Sequence, residues 1–219
     1  MNAGAMLLLF DIEPAAVAEH DEWHSHEHMP ERLALPGFRR GSRWVRASGS
    51  PRYCVVYEVD GPEVLDSPAY RSRLNQPTAW TTAMMAHYRG MRRTLCTVSD
   101  GGGAGLGGAC LLTTFEPDPA CDLQEHRQRL AERCADLHLR RGVSGWRLMQ
   151  RALAADMTRE QAIRGRDSAV DSALWVTAYE PATLQALVAD ALSPQRLQEC
   201  GARMIEQACF ALAHVHSAS

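Results

Sequence analysis

The chain has 219 residues, 46% of them hydrophobic, and its 23 Lys and Arg against 26 Asp and Glu leave a formal net charge of −3. So balanced a surface gives no electrostatic footprint for nucleic acid or an anionic membrane, and no segment approaches the length of a membrane-spanning helix. The length suits one compact unit or two small ones, and seven scattered cysteines without a Cys-x-x-Cys pair read as buried thiols of a reducing cytoplasm.

In chain order, the first half predicts a strand near 6–12, a helix from about 14 to 33, strands near 38–47 and 52–60, helical material from 62 to 90, and a strand near 92–98. The start, Met1 to Phe10, has no basic region before its short apolar run and reads as unprocessed. Residues 100–108 are glycine-rich and read as a linker. Gly103, Gly105 and Gly108 there match a dinucleotide-binding spacing, but the following Ala109–Phe115 is strand-like, where that motif requires a helix. The second half predicts a strand at 110–116, a helix near 123–139, strands near 143–152 and 174–180, helical material from 182 to 203, and a strand at 205–214.

Each half therefore reads β-α-β-β-α-β. Gly37-Phe38 through Arg46-Ala47 echoes Gly142-Val143 through Arg151-Ala152 at an offset of 105, and Val56-Tyr57-Glu58 echoes Ala178-Tyr179-Glu180 at 122. The difference of 17 falls on an insertion around 154–171, polar enough for an exposed excursion or a short helix. The expected fold is α+β: two ferredoxin-like units in tandem, with four-stranded antiparallel sheets packed face to face as an intrachain α+β barrel. The expected division is 1–100 as the unit with the site, 101–108 as linker and 109–219 as a degenerate second unit.

Chemistry concentrates in Trp23-His24-Ser25-His26-Glu27-His28-Met29-Pro30-Glu31-Arg32, just before the Leu35-Pro36-Gly37-Phe38 turn. His24 and His28 share a helix face with His20 one turn earlier, a line that a solvated charged face explains as well as a site does. The pair lacks His-Glu-x-x-His spacing and a third ligand, so no metal site is expected. His26, spaced with Met29 and Leu33, points to the apolar side, as a core histidine or a cavity base. Pro30 predicts a kink or restart that turns His28 inward, which makes His28 the first choice for acid/base work.

Further candidates for contact with a ligand are Trp23, Asp11, Arg43, Trp44 and Tyr57, with alternation allowing only one of each adjacent strand pair to reach a given face. Trp80, Met84, His87 and Met91 form a helical stripe that is either core or the lining of a pocket for a flat ligand, with His87 or Tyr88 as polar anchor.

Trp23, His28, Pro30 and the Leu-Pro-Gly turn resemble the dimeric α+β barrel superfamily, especially its EthD-like members, across the whole first half; Ser67-Pro68-Ala69-Tyr70 looks like that family's second-helix start. The second half lacks the signature, since Gln128 and Arg133 stand opposite Trp23 and His28, so one site per chain is expected. The resemblance implies a ferredoxin-like fold with a cavity between sheet and helices, without fixing a reaction, since relatives include monooxygenases, cyclases, isomerases, decarboxylases and haem-handling proteins. The expectation is a cytoplasmic, cofactor-independent enzyme, with no metal or haem, using histidine acid/base chemistry on a small apolar oxygenated molecule. It would act as isomerase or cyclase, decarboxylase or lyase, or monooxygenase, as a single chain or as a homodimer. The alternatives are a barrel that binds haem or another hydrophobic ligand and a histidine-based divalent metal site.

Overall fold

The structure, a computed structural model, describes residues 3–152, 158–164 and 167–218. The first half runs β1 (Gly4–Ile12), α1 (Val17–Trp23), a π turn (His24–His28), α2 (Met29–Leu33), β2 (Phe38–Val45), β3 (Tyr53–Val59), α3 (Pro68–Asn75), α4 (Ala79–Met85) and β4 (Tyr88–Gly102). The second runs β5 (Ala109–Pro117), α5 (Leu123–Cys134), β6 (Val143–Arg151), α6 (Arg159–Arg164), β7 (Ser172–Ala178), α7 (Pro181–Ala189), α8 (Pro194–Glu199) and β8 (Ala202–Ser217). The protein is α+β, its eight strands follow the order β1-β3-β2-β8-β5-β7-β6-β4, and they close as a barrel.

Two compact units divide the chain. One holds Met1–Thr97, Ala152–Ala169 and Ala213–Ser219; the other holds Val98–Arg151 and Val170–Leu212. The glycine-rich run is not all linker, because β4 continues through Gly102. A Cβ at Gly102 would stand 2.4 Å from the His138 ring and 2.6 Å from Trp146 Nε1, so only glycine lets the strand pass there.

In the first unit β1 pairs antiparallel with β3 and β4, and β2 pairs with β3. Met6, Leu8 and Phe10 lie across from Tyr57, Val55 and Tyr53, and this face carries a core with Trp23, Met29, Leu33, Tyr70 and Met85 from the helices. Leu7 and Leu9 on the opposite face are buried as well, which is why β1 is apolar throughout instead of alternating. The helix starts follow from capping chemistry. Ser67 accepts from the Tyr70 backbone and Thr78 from Thr81, each placing an oxygen on an otherwise orphaned N–H, with Pro68 preset for the first turn.

In the second unit β7 pairs antiparallel with β5 and β6, and β5 with β8, around a core that includes Leu111, Leu130, Trp146, Leu174 and Leu197. Asp122 caps α5 and Ser193 caps α8, the latter again with proline following. The duplication shows most clearly at the hairpin entries. Gly37 and Gly142 hold φ of +86° and +85°, and their carbonyls accept from Asp60 N at 2.9 Å and Tyr179 N at 2.8 Å. Each hairpin then carries a bulge two residues on, between Phe38 and Arg40 and between Val143 and Gly145. Matching Asp60 with Tyr179 sets an offset of 119, so the Tyr-Glu echo at 122 is out of register; Tyr57 is buried mid-strand while Tyr179 lies beyond β7 and is exposed.

The insertion contains the short helix expected of it, but its contacts are not those of a solvated excursion. Residues 153–157 and 165–166 lie outside the described residues. Thr158 and Gln161 bracket the start of α6, the Gln161 side-chain oxygen accepting from Thr158 N at 2.8 Å. Arg159 N donates to Asn75 Oδ1 at 3.0 Å, and Ser168 runs beside β4, accepting from Arg93 N at 2.8 Å and donating to Met91 O at 3.0 Å. All seven cysteines are thiols and five are buried. Among the described residues no helix is long and apolar enough to cross a membrane.

The Leu-Pro-Gly turn makes a direct test of this scaffold. A Cβ at Gly37 would meet Val64 Cγ2 at 2.6 Å in a left-handed backbone conformation. Gly37→Ala is expected to lower stability by about 1–3 kcal/mol in urea unfolding, and Pro36→Ala, at an exposed position, by well under 1 kcal/mol.

Candidate functional site

The first-unit sheet and helices line a small pocket with about 30 Å³ of free volume, within an envelope of about 430 Å³ that includes open solvent. Met6, Leu8 and Phe10 of β1, Tyr57 of β3, Tyr88, Met91 and Arg93 of β4, Tyr70 and Leu74 of α3 and Met85 of α4 line it. His24, His28 and Arg32 reach it from the first helical stretch, and Thr158, Glu160 and Gln161 from the insertion. The wall is mostly aromatic and aliphatic with a few convergent polar groups, the composition of a small-molecule site.

The histidines are aligned by the π turn, whose i→i+5 bond runs from Met29 N to His24 O. It widens one turn of an otherwise α-helical path and brings residues four apart into line. His20, His24 and His28 are all buried, with ring centroids 5.5 Å apart at each step. The same widening turns His26 outward, where its Nε2 stands 3.3 Å from Glu22 and the side chain is 71% exposed. The expectation that His26 faces the apolar side is thus corrected, and so is the solvated line assigned to His20 and His24: an unbroken 3.6-residue period does not apply here.

Each ring has a distinct setting. His28 lies against Trp23, centroids 4.4 Å apart, and Trp23 is itself fully buried, donating from Nε1 to Glu27 Oε1 at 3.1 Å and Thr81 Oγ1 at 3.3 Å. Trp23 therefore fixes His28 from behind and does not line the cavity. His20 stands within hydrogen-bond distance of the Asp21 carboxylate and the Tyr88 hydroxyl, 3.2 Å from each, which makes Tyr88 the cavity end of a polar chain. Burial holds the His20 imidazolium below its usual range against the pull of Asp21. For His24 burial is stronger, and the positive charges of His20, Arg43, His214 and Arg32 add to it, so its pKa falls well below the ordinary value. His24 is therefore neutral at pH 7, and its Nδ1 makes no hydrogen bond among the described residues.

Arg32 sits one turn beyond His28. It is 1% exposed, and one of its terminal nitrogens meets both oxygens of Glu160, itself 2% exposed, at 2.6 and 2.8 Å. Its guanidinium also lies 5.9 Å from the centre of the Tyr70 ring. Arg32, Glu160, Tyr70 and Arg93 lie outside the set of site residues expected from sequence. Arg32 was detectable in principle, four residues after His28 on the same line, and Thr158-x-x-Gln161 marks a helix start. Nothing in the sequence pairs Arg32 with a carboxylate 128 positions away.

Of the other predicted residues, Tyr57, Tyr88 and Met91 line the cavity and the rest do not. Asp11 binds Arg52 N at 2.7 Å and Ser50 Oγ at 2.5 Å, closing a turn. Arg43 braces the helix, donating to Asp21 O at 3.0 Å and Ser25 Oγ at 3.1 Å. Trp44 follows Arg43 on β2 and so points to the opposite face, donating to Ser42 Oγ at 2.9 Å. The 80-84-87-91 stripe is cut because α4 stops at Met85 and β4 begins at Tyr88. Met84 is core, Trp80 donates to Glu19 Oε1 at 2.8 Å, and His87 meets Glu13 Oε2 at 2.6 Å on the surface. No cluster of three metal-ligating side chains occurs among the described residues.

No protein-family model and no curated protein matches this sequence. Solved structures do. An anthrone oxidase-like protein aligns over 99% of this chain and 93% of its own at a TM-score of 0.66 and 12% identity. A putative monooxygenase from Fusobacterium nucleatum aligns over 99% and 94% at 0.68 and 8%. A haem-binding protein from Thermus thermophilus aligns over 97% and 92% at 0.58 and 6%, and a chlorite dismutase from Candidatus Nitrospira defluvii over 97% and 91% at 0.57 and 10%. At such identities the likeness establishes the fold, a tandem ferredoxin-like α+β barrel.

The haem-binding protein among these structures overturns the expectation that such a barrel works without a cofactor. A haem needs a free imidazole nitrogen and room for a macrocycle with two propionates. His24 supplies the first. The space does not supply the second: about 30 Å³ of it is free, and one side is walled by the closed Arg32–Glu160 pair. The cavity residues as arranged do not fit haem.

Two measurements probe this electrostatic frame. The unfolded chain takes up protons at His20 and His24 near pH 6.5 while the folded chain resists them, so stability is held above that value and falls as pH drops through it towards the depressed folded pKa values. Urea midpoints are expected to decline between about pH 7 and pH 5, and His24→Leu to flatten the decline. Arg32→Met strands the buried Glu160 carboxylate and is expected to cost about 3–5 kcal/mol, most of it recovered in Arg32→Met/Glu160→Met.

Proposed function

We propose that this protein is a monooxygenase-type enzyme that oxidises a small, flat, carbonyl-bearing ring compound at an acidic C–H next to the ring system, with His28 as general base. The observation that carries the reading is the pair of buried imidazoles, His24 and His28, opening onto a cavity whose apolar wall is formed by Met6, Phe10, Tyr57, Tyr70, Met85 and Met91. Such a wall takes up a flat apolar ligand when its flexible Met and Leu side chains part to admit it, burying the ligand's surface and desolvating the base beside it. Names of similar structures, an anthrone oxidase-like protein and a putative monooxygenase, support the same class.

His28, held by Trp23, removes the proton, and the electrons of that C–H bond pass into the ring carbonyl to give an enolate. The enolate carbon is the atom that dioxygen oxidises. Overall one methylene and one O₂ yield one carbonyl and one water, in which the carbon supplies the electrons that O₂ takes. Neutral His24 beside His28 adds no competing positive charge at pH 7. Isomerisation, cyclisation and decarboxylation begin with the same proton transfer, and the oxygenase reading is preferred for the names above.

Anthrone is the test substrate. The purified protein is expected to convert it to anthraquinone with uptake of one O₂ per molecule. His28→Ala should lower kcat by about 10²- to 10⁴-fold, the usual worth of a positioned proton-transfer group, while His26→Ala on the exposed face leaves it unchanged. Wild-type turnover in His28→Ala removes His28 from its role, and absence of turnover with anthrone and related ring ketones removes the reading itself.

A further inference from the structure

We infer that Arg32 and Tyr57 together form an oxyanion subsite, which selects ligands bearing a carbonyl oxygen and stabilises that oxygen as it becomes an enolate; this deepens the reading above and rests on it. Both side chains line the cavity and both are 1% exposed. The Tyr57 hydroxyl makes no hydrogen bond among the described residues. The Arg32 guanidinium is half used: one terminal nitrogen is taken by Glu160, while the other, Nη1, has no hydrogen bond and stands 4.0 Å from Glu31. Two buried donors without acceptors, facing one small cavity, are costly unless something in that cavity accepts from them.

The neighbouring groups leave these two donors for a ligand. Tyr70, the other hydroxyl in this part of the wall, donates to Met6 Sδ at 3.2 Å and accepts from Arg93 at 3.3 Å. Glu31 is committed to Arg73. Glu160 fixes the guanidinium and balances its charge, so the subsite as a whole is neutral and presents N–H and O–H dipoles, not a net positive charge. A permanent carboxylate is therefore not the preferred guest. The acceptor that suits it is a ketone oxygen, neutral on entry and negative after the C–H proton has left, where fixed donors in a water-poor site act most strongly on the developing charge. Burial keeps the Tyr57 phenol protonated, since its pKa is pushed far above the usual tyrosine value. The step balances within the ligand: the C–H bond breaks, its proton goes to the histidine, and its electron pair becomes the new C=C as the C=O pair moves onto oxygen.

Anthrone and 9,10-dihydroanthracene share a tricyclic outline and differ in the ketone. In the absence of oxygen, anthrone binding to the wild-type protein, read by quenching of tryptophan fluorescence, is expected to be at least about tenfold tighter than binding of the hydrocarbon, one good hydrogen bond's worth. Bound anthrone should also show the longer-wavelength absorbance of its enolate. Tyr57→Phe should reduce both the preference and the enolate band, with hydrocarbon affinity unchanged. Because Arg32→Met strands Glu160, Arg32→Met/Glu160→Met carries the second arm, with the same loss expected. Equal affinity for the two probes, no binding of anthrone, or an unchanged preference and band in Tyr57→Phe overturns the subsite. Donor-dependent binding without oxidation when air is admitted fails only the oxygenase reading; oxidation that Tyr57→Phe leaves intact fails only the subsite.

Discussion

The π turn at His24–His28 is the constraint from which the site is built. In a plain α-helix, side chains four apart drift by about 40° per step, so a line from His20 to Arg32 would wind around the helix and its ends would leave the face they share. One i→i+5 bond takes out that drift. Four polar side chains then stand on the buried face of a helix that has to pack against an apolar sheet, and the rest of the first unit meets the consequences. Phe10, Tyr53 and Tyr88 surround His20, Trp23 holds His28, and Glu160 meets Arg32.

Burying so many ionisable groups is tolerable because each is neutralised in its own way. His24 sheds its proton, since burial away from water, and after it the surrounding positive charges, disfavour the imidazolium. His20 shares its ring nitrogens between a carboxylate and a phenol. Arg32 cannot lose its proton and must be paired, and the partner comes from a segment far along the chain. The insertion is thus bound to the chemistry of the first helix as well as to β4 through Ser168.

The second unit shows the same architecture without this chemistry. Its hairpin glycine, bulge and Ser-Pro cap repeat those of the first unit, which are requirements of backbone geometry. Its helix α5 is regular and carries one fully buried histidine, His126, whose Nδ1 meets Cys200 O at 2.7 Å. That ring is anchored to backbone through Nδ1 alone, its buried Nε2 making no hydrogen bond among the described residues, and it packs against Phe115 in the core. Repetition preserved what the fold needs, while the polar line occurs in the unit with the π turn.

The sequence by itself determined the class of the fold, because apolar runs, capping residues and turn glycines are local signals and each half carries them in the same order. It also placed the clustered histidines in the first half, and it named His28, Tyr57 and Tyr88, which line the first unit's cavity. What only the tertiary structure decided was direction and partnership. Which of His24 and His26 points inward depends on a single backbone hydrogen bond that shifts the helical phase, and neither residue's neighbours in sequence reveal it. That Trp44 faces away while Arg43 braces the helix depends on strand register. Arg32 and Glu160 meet because the insertion packs against α3 and β4, and the energy that drives their pairing, the cost of a lone buried charge, exists only once water has been excluded by the fold.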